Sequence, residues 1–144
     1  MDTASHGRLR VMRGAVATCP AMLDHAVLDP TTLPALDDTT VPRWMAQPGV
    51  GVLDFTARWC GPCKQLTPIL VELAARYRGR VRIATVDVEV APAVVTALRV
   101  VSMPTVVLVR DGVAVGRVVG LRPARFLAGM FDRALAGDVA IAAP

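Results

Sequence analysis

Two cysteines three residues apart, Cys60 and Cys63, stand between a continuous apolar run over 50–56 and an apolar stripe with a helical period. The run predicts a strand buried on both faces, and the stripe predicts a helix that begins at Cys60. Unpaired backbone N–H groups and the dipole at a helix N-terminus stabilise a thiolate, so Cys60 is predicted to be reactive. Cys63, one turn further, can reach the same sulfur. The pattern is typical of thiol–disulfide exchange.

The hydrophobic pattern switches repeatedly between continuous or alternating runs and helical stripes, which predicts an α/β sheet. Strands are predicted over 31–36, 50–56, 81–88, 105–109 and 113–119, and helices over 40–47, from Cys60 to Gly79, over 92–98 and from Pro123 to Gly137. The last helix is predicted to bury Phe126, Leu127, Met130, Phe131, Ala134 and Leu135. Asp111-Gly112 supplies the positive φ that a tight hairpin turn needs. Pro68 is expected to kink the second helix.

Composition narrows the classes of function. The chain has 144 residues, 53% of them hydrophobic, and a formal charge of +4, which suits one compact domain. Its arginines are scattered without interleaved aromatic residues, which argues against nucleic-acid binding. No apolar run approaches the roughly 18 residues of a membrane span, so we expect no membrane association. Three cysteines are too few for a secreted disulfide scaffold, so we interpret the pair as catalytic and its compartment as reducing.

Short motifs accompany the cysteine pair in a characteristic order. They are Asp54-Phe55-x-Ala57-x-Trp59-Cys60-Gly61-Pro62-Cys63-Lys64, Pro68 in the next helix, Val101-Ser102-Met103-Pro104-Thr105, and Asp111-Gly112 followed by Gly120. With these motifs the chain resembles the thioredoxin family from about residue 36 to about residue 136. The resemblance implies an α/β thioredoxin fold, with a central mixed β-sheet flanked by helices on both faces. The expected organisation is an N-terminal extension (1–30), a thioredoxin domain (31–137) and a C-terminal tail (138–144).

The resemblance also implies a protein-disulfide reductase whose redox group is the Cys60–Cys63 disulfide, with no bound cofactor and no metal. Cys60, expected at the exposed helix terminus, attacks a client disulfide, and Cys63 then resolves the mixed disulfide. The competing interpretation is half of a zinc site. Zinc needs four ligands, yet only Cys19, His6 and His25 remain, all outside the matching region.

Asp54 lies within the apolar strand, where an unpaired carboxylate is costly and its pKa is expected to rise. A carboxyl that titrates near neutral pH could take the proton of Cys63, which is the role that the resemblance implies. The alternative is a structural carboxyl that hydrogen-bonds a neighbouring backbone group. At Thr56 and Thr85 the chain departs from the tryptophan and lysine that family members often carry near this carboxyl. The pH dependence is therefore expected to differ from that of typical members.

The resemblance places a substrate-binding surface around the Cys60 sulfur. The residues assigned to it are Trp59, Gly61, Pro62, Met103, Pro104 and Gly120. Family members hold the bond before Pro104 in the cis form and pair the backbone of Met103 with an extended client peptide. Trp59 has a second interpretation, as an ordinary core residue.

The expected partners are disulfide-containing client proteins and an NADPH-dependent thioredoxin reductase, in electron transport and cell redox homeostasis. We expect a monomer. We also expect it to be cytoplasmic, because a signal peptide needs an unbroken apolar stretch, whereas charged residues and a proline interrupt the one over 11–27. Cys19 is interpreted as an inert thiol, or alternatively as a regulatory or dimer-forming one. Two other functions stay open: an exported reductant of envelope or cytochrome thiols, and a non-catalytic binding subunit, against which the intact cysteine pair argues.

Overall fold

The apolar run over 50–56 forms the central strand of a five-stranded sheet. The computed structural model describes residues 32–138. The strands are β1 (Ala35–Leu36), β2 (Val50–Thr56), β3 (Val81–Asp87), β4 (Thr105–Arg110) and β5 (Val113–Val119). The helices are α1 (Val41–Met45), α2 (Gly61–Arg76), α3 (Pro92–Ala97) and α4 (Ala124–Ala136).

The sheet is mixed, with the strand order β1-β3-β2-β4-β5. β2 pairs in parallel with β3, and β3 in parallel with β1. On its other side β2 pairs antiparallel with β4, which pairs antiparallel with β5. The predicted mixed sheet is therefore confirmed.

Helices cover both faces of the sheet, because alternate side chains of β2 point to opposite faces and all of them but Thr56 are buried. Val50 and Val52 pack beneath α2 and α4, whose largest buried side chains are Leu66, Leu70, Leu73, Leu127 and Phe131. Leu53 and Phe55 pack on the opposite face, beneath Val41 of α1 and Val94 of α3. This two-sided packing confirms the three-layer arrangement that the resemblance implies.

Some boundaries differ from the sequence prediction. β1 has only two residues, where the pattern predicts a strand from residue 31. Pro34, immediately before β1, has no N–H to extend the ladder, although its C=O accepts a hydrogen bond from Thr85 N at 2.8 Å. α2 ends at Arg76, three residues before the predicted stop at Gly79, and continues through Pro68. The predicted kink at Pro68 stays a prediction.

The prediction for Phe126 is wrong, because its side chain is 45% exposed. The buried stripe of α4 instead consists of Leu127, Ala128, Met130, Phe131 and Ala134. Phe126 lies at the edge of this stripe, where the guanidinium of Arg122 covers its ring at 5.7 Å from the centroid.

A two-residue turn joins β4 to β5. Arg110 pairs with Val113, so the turn consists of Asp111 and Gly112, with φ values of 49° and 90°. Both residues adopt the left-handed conformation that the tightest hairpin turns require, which confirms the prediction for Asp-Gly. Asp111 also accepts a hydrogen bond from Gly49 N at 2.7 Å, which ties the turn to the start of β2.

The predictions made for residues 1–30, including Cys19, and for the end of the C-terminal tail lie outside the described residues. Within residues 32–138, no helix is long and apolar enough to cross a lipid bilayer.

Gly51 gives a test of the packing around β2. A Cβ added at Gly51 would lie 2.7 Å from the Trp44 ring and 3.2 Å from the guanidinium of Arg82, which packs over that ring at 4.5 Å from its centroid. We expect Gly51→Ala to lower the free energy of unfolding by about 1–3 kcal/mol, measured by urea denaturation. The matched control is Gly129→Ala, on the exposed side of α4 with open space around it, which should be neutral or stabilising by up to about 1 kcal/mol. Equal stability of Gly51→Ala and the wild type would contradict the packing described.

Candidate active site

Cys60 and Cys63 are joined by a disulfide at the start of α2, with their Cα atoms 5.3 Å apart. Cys60 is the N-cap residue of the helix, and its sulfur accepts a hydrogen bond from Cys63 N at 3.2 Å. Its own N–H donates to Ala57 O at 3.1 Å, which closes the turn between β2 and the helix. The predicted helix start is confirmed, and a sulfur at this position is bonded to one of the N–H groups that a helix terminus leaves unpaired.

Cys60 is less exposed than the sequence suggests. It is 4% exposed and Cys63 is 1% exposed, because both pack with Ala57 and with the partly buried Val88 and Met103. The expectation of an exposed Cys60 is therefore wrong for the disulfide form. The difference between the two cysteines lies in their place on the helix, since Cys60 is the cap and Cys63 lies within the first turn.

Exposed residues surround this buried pair. Trp59 is 65% exposed, so its interpretation as a core residue is wrong. Gly61 and Pro62 are also exposed, and Pro62 occupies the first turn of α2, where its missing N–H costs no helical hydrogen bond. An aromatic side chain and a proline ring are thus open to solvent on either side of the Cys60 cap.

The loop before β4 meets the cysteines from another part of the chain. Met103 packs against Cys60 and Cys63, and the Met103–Pro104 peptide is cis, as the resemblance implies. Within the described part of the chain, neither the N–H nor the C=O of Met103 takes part in a hydrogen bond. Pro104 O accepts a hydrogen bond from Gly120 N at 2.8 Å. The structure therefore brings Met103 against the disulfide and joins the next residue, Pro104, to Gly120.

Val88 is a site residue that the sequence reading missed. Its side chain packs with the cysteine pair, and its N–H donates to Thr56 O at 3.0 Å. Val88 follows β3, which runs parallel to β2, so the two strands end at the same edge of the sheet. This shared carboxyl edge is where ligand sites form in α/β sheets, and that rule could have identified Val88.

Asp54 is fully buried, and among the described residues neither carboxyl oxygen has a hydrogen-bond partner. Desolvation by burial raises its pKa from 3.8 to about 7. The predicted rise is confirmed, and the backbone-bonded alternative is excluded for this conformation. By strand alternation Asp54 lies on the same face of β2 as Val52, the face that α2 covers.

Thr85 and Val106 are the register partners of Asp54 on the two neighbouring strands. The placement of Thr85 beside the carboxyl is thus confirmed, but its hydroxyl donates to Pro34 O at 3.4 Å. Burial is the cause of the raised pKa of Asp54, and no cationic side chain among residues 32–138 contributes to it. Thr56, the other departure, lies two residues further on the same face and is partly buried.

Within residues 32–138, no three or more His, Cys, Asp or Glu side chains are grouped so that they could hold a metal ion. His6, Cys19 and His25 lie outside that range.

A cysteine pair at a helix cap, beside a cis-proline loop at the carboxyl edge of a mixed sheet, defines a dithiol–disulfide oxidoreductase of the thioredoxin fold. The thioredoxin family model matches residues 39–133. A thioredoxin of Staphylococcus aureus is 44% identical over 87 residues, covering 60% of this chain and 84% of that protein.

Solved structures agree with this assignment. A mutant thioredoxin from Halobacterium salinarum is similar with a TM-score of 0.67 and 30% identity, covering 75% of this chain and 95% of that one. The oxidised mitochondrial thioredoxin 3 of Saccharomyces cerevisiae is similar with a TM-score of 0.65 and 35% identity, covering 72% and 97%. The chain belongs to the thioredoxin family. It is a protein-disulfide oxidoreductase that works by dithiol–disulfide exchange, and the Cys60–Cys63 disulfide is its redox group.

The buried Asp54 predicts an unusual dependence of stability on pH. The unfolded state releases this proton near 3.8, whereas the native state keeps it to about pH 7. The free energy of unfolding should therefore fall as the pH rises from about 4 to about 7, by about 2–4 kcal/mol, and then level off. Urea denaturation of the disulfide form across pH measures this, since the two paired cysteines do not titrate.

Asp54→Asn should remove that fall, and the variant should be the more stable protein at pH 8. The control is Glu72→Gln on the exposed side of α2, which should keep the wild-type profile. If Asp54→Asn and the wild type lose stability equally between about pH 4 and about pH 7, the native pKa of Asp54 is not raised.

Proposed function

We propose that this protein reduces disulfides in client proteins, with Cys60 as the nucleophile and Cys63 as the resolving thiol. The observation that carries the proposal is the hydrogen bond from Cys63 N to the sulfur of Cys60, the N-cap of a 16-residue helix. In the reduced protein this donor and the helix dipole favour a thiolate at Cys60 over one at Cys63.

The exchange takes two balanced steps. The Cys60 thiolate attacks one sulfur of the client disulfide, a bond forms between them, and the other client sulfur leaves as a thiolate that takes up a proton. Cys63 then loses its proton and attacks the Cys60 sulfur, which forms the Cys60–Cys63 disulfide and releases the first client sulfur. The client gains two electrons and two protons, and the cysteine pair loses them.

Asp54 is proposed to accept the proton of Cys63 in the second step. It lies on the α2 side of β2, and burial brings its pKa to about 7, near the value suited to a general base at neutral pH. Its oxygens have no partner in the described part of the chain, so they are free to accept a proton directly or through water.

The client-binding surface is proposed to consist of Trp59, Gly61, Pro62, Met103, Pro104 and Gly120. The exposed ring of Trp59 gives an apolar contact beside the disulfide. The N–H and C=O of Met103 have no hydrogen-bond partner among residues 32–138, so they can bond to an extended client backbone, as peptides do at an open backbone edge. Backbone pairing would accept many client sequences, as a general reductant requires.

We further propose that an NADPH-dependent thioredoxin reductase returns the disulfide to the dithiol, and that the protein is a cytoplasmic monomer. The resemblance to classical thioredoxins supports these proposals. For the reductase in particular, the motif from Trp59 to Cys63 and the fold around it are the parts on which that enzyme would act. Export to envelope thiols is the competing role, and fractionation of the native cells would distinguish the two.

The first test is insulin reduction coupled to NADPH and thioredoxin reductase. We expect the wild type to oxidise NADPH in proportion to insulin disulfide, and both Cys60→Ser and Cys63→Ser to lose turnover. A wild type that binds the reductase but leaves insulin oxidised would favour a binding subunit and contradict the proposal.

The two cysteine variants also separate the roles. Cys63→Ser should accumulate mixed disulfides with clients on a non-reducing gel, because attack proceeds and resolution cannot. Cys60→Ser should accumulate none. Equal accumulation in both variants would show that either cysteine attacks.

Asp54→Asn tests the general base. Removing it should slow the resolving step at neutral pH by about tenfold to hundredfold. General-base catalysis typically contributes about 10²–10⁴-fold, and we expect a smaller effect here because water can relay the proton. Mixed-disulfide formation should change much less, and this step is the internal control in single-turnover kinetics. Resolution at the wild-type rate from about pH 6 to about pH 8 would make Asp54 a structural carboxyl.

A further inference from the structure

Arg117 in β5 reaches across to the end of α3. Its Nη2 donates to Leu98 O at 2.6 Å, and its Nη1 donates to Arg99 O at 3.0 Å. Leu98 is the C-cap residue of α3, and Arg99 follows it with φ of 54°. A guanidinium here satisfies carbonyls that a helix end leaves without partners, and its charge faces the negative end of the helix dipole.

These carbonyls begin the segment that carries the cis-proline. We call residues 98–104 the client loop, because they lead from α3 to Met103 and Pro104. At its far end the loop is bonded to the residue after β5, through Gly120 N and Pro104 O at 2.8 Å. β5 and the residue that follows it therefore hold the client loop at both ends, by the side chain of Arg117 and by the backbone N–H of Gly120.

Two further contacts fix the loop between these ends. Val100 is buried, and its N–H donates to Val95 O at 3.0 Å. The hydroxyl of Thr105 donates to Ser102 O at 2.6 Å. Between them Val101 is 90% exposed, and the backbone groups of Met103 are unpaired within the described residues. The loop thus presents the side chain of Val101 and the two backbone groups of Met103, while hydrogen bonds before and after them hold its backbone in place.

We propose that Arg117 is a positioning residue for client binding, which holds the client loop at a fixed distance from the end of β5. The inference rests on the proposed role of Met103 in binding clients. A client peptide paired with Met103 needs its cysteine held at the Cys60 sulfur, and a small misplacement of the loop would cost much of that alignment. Arg117 acts through the loop and touches neither cysteine.

The site suits arginine in particular. Arg117 is half-buried and is the register partner of Val107, a core residue beneath α1 and α3, so its side chain lies on the face that α3 covers. The planar guanidinium reaches two successive carbonyls at once, whereas a lysine ammonium is a single point donor. Arg117→Lys should therefore keep part of the effect, and Arg117→Met, which keeps the length of the stem but no donor, should remove it.

The experiment compares Arg117→Met and Arg117→Lys with Arg133→Met, a control at an exposed position near the end of α4. In Arg117→Met we expect amide hydrogen exchange in the client loop to accelerate about tenfold. We expect KM for insulin to rise about tenfold with kcat changed less than about twofold. Reduction of a small aryl disulfide, which has no backbone to dock, and the redox potential of the pair should stay at the wild-type values. Arg117→Lys should fall between, and Arg133→Met should match the wild type.

Unchanged exchange in the client loop of Arg117→Met would overturn the proposal. So would faster exchange with an unchanged KM at a temperature where the variant is folded, because Arg117 would then be only a stabilising contact. An inactive wild type would refute the proposed function instead, and the hydrogen-exchange comparison would still decide whether Arg117 holds the loop.

Discussion

The burial of β2 on both faces is the constraint on which the rest of the structure depends. With α2 and α4 on one side and α1 and α3 on the other, β2 contacts water only where it ends. The chain therefore leaves the core at Thr56 and turns back as α2, with Cys60 at the cap. The same burial surrounds Asp54 with apolar side chains and raises its pKa. One packing arrangement thus places the cysteine pair at the edge of the sheet and buries a carboxyl with a pKa of about 7 on the face of β2 that α2 covers.

The register of the β4–β5 hairpin determines which residue is paired with Pro104, the cis-proline next to Met103. The two-residue turn at Asp111 and Gly112 and a one-residue register shift between Leu108 and Val109 together pair Thr105 with Val119, and the next step along both strands places Pro104 against Gly120. A longer turn would shift this pairing and separate the client loop from the end of β5. The length of the turn between β4 and β5 therefore affects how the client loop is paired at the other end of these strands.

Asp54 combines a cost in stability with the role of general base that we propose for it. An unpaired carboxyl in an apolar core is unfavourable when ionised, and at Thr85 the neighbouring strand offers a hydroxyl that is bonded to Pro34 in place of a cation. Desolvation by burial is what raises the pKa of Asp54, so the release of its proton responds to any change in burial. Residues that lower the stability of a fold are often kept at functional sites. In the described part of the chain Asp54 is such a residue, since it is a buried polar side chain without a hydrogen-bond partner.

Local patterns of the sequence determined most of the secondary structure, the Asp111-Gly112 turn and the helix cap at Cys60, because each depends on neighbours along the chain. The motifs of the resemblance identified Trp59, Met103 and Gly120 as candidate residues of the client-binding surface. The pattern alone could not determine that Phe126 is exposed, since a helical stripe has edges that only the neighbouring elements define. It could not show that Val88 packs on the cysteines or that Arg117 holds α3, because these residues are far apart in sequence and meet only through the strand order and register. The sequence by itself determined the chemistry of the cysteine pair, and the tertiary structure decided how deeply that pair is buried and which distant residues surround it, since both depend on packing between elements and not within them.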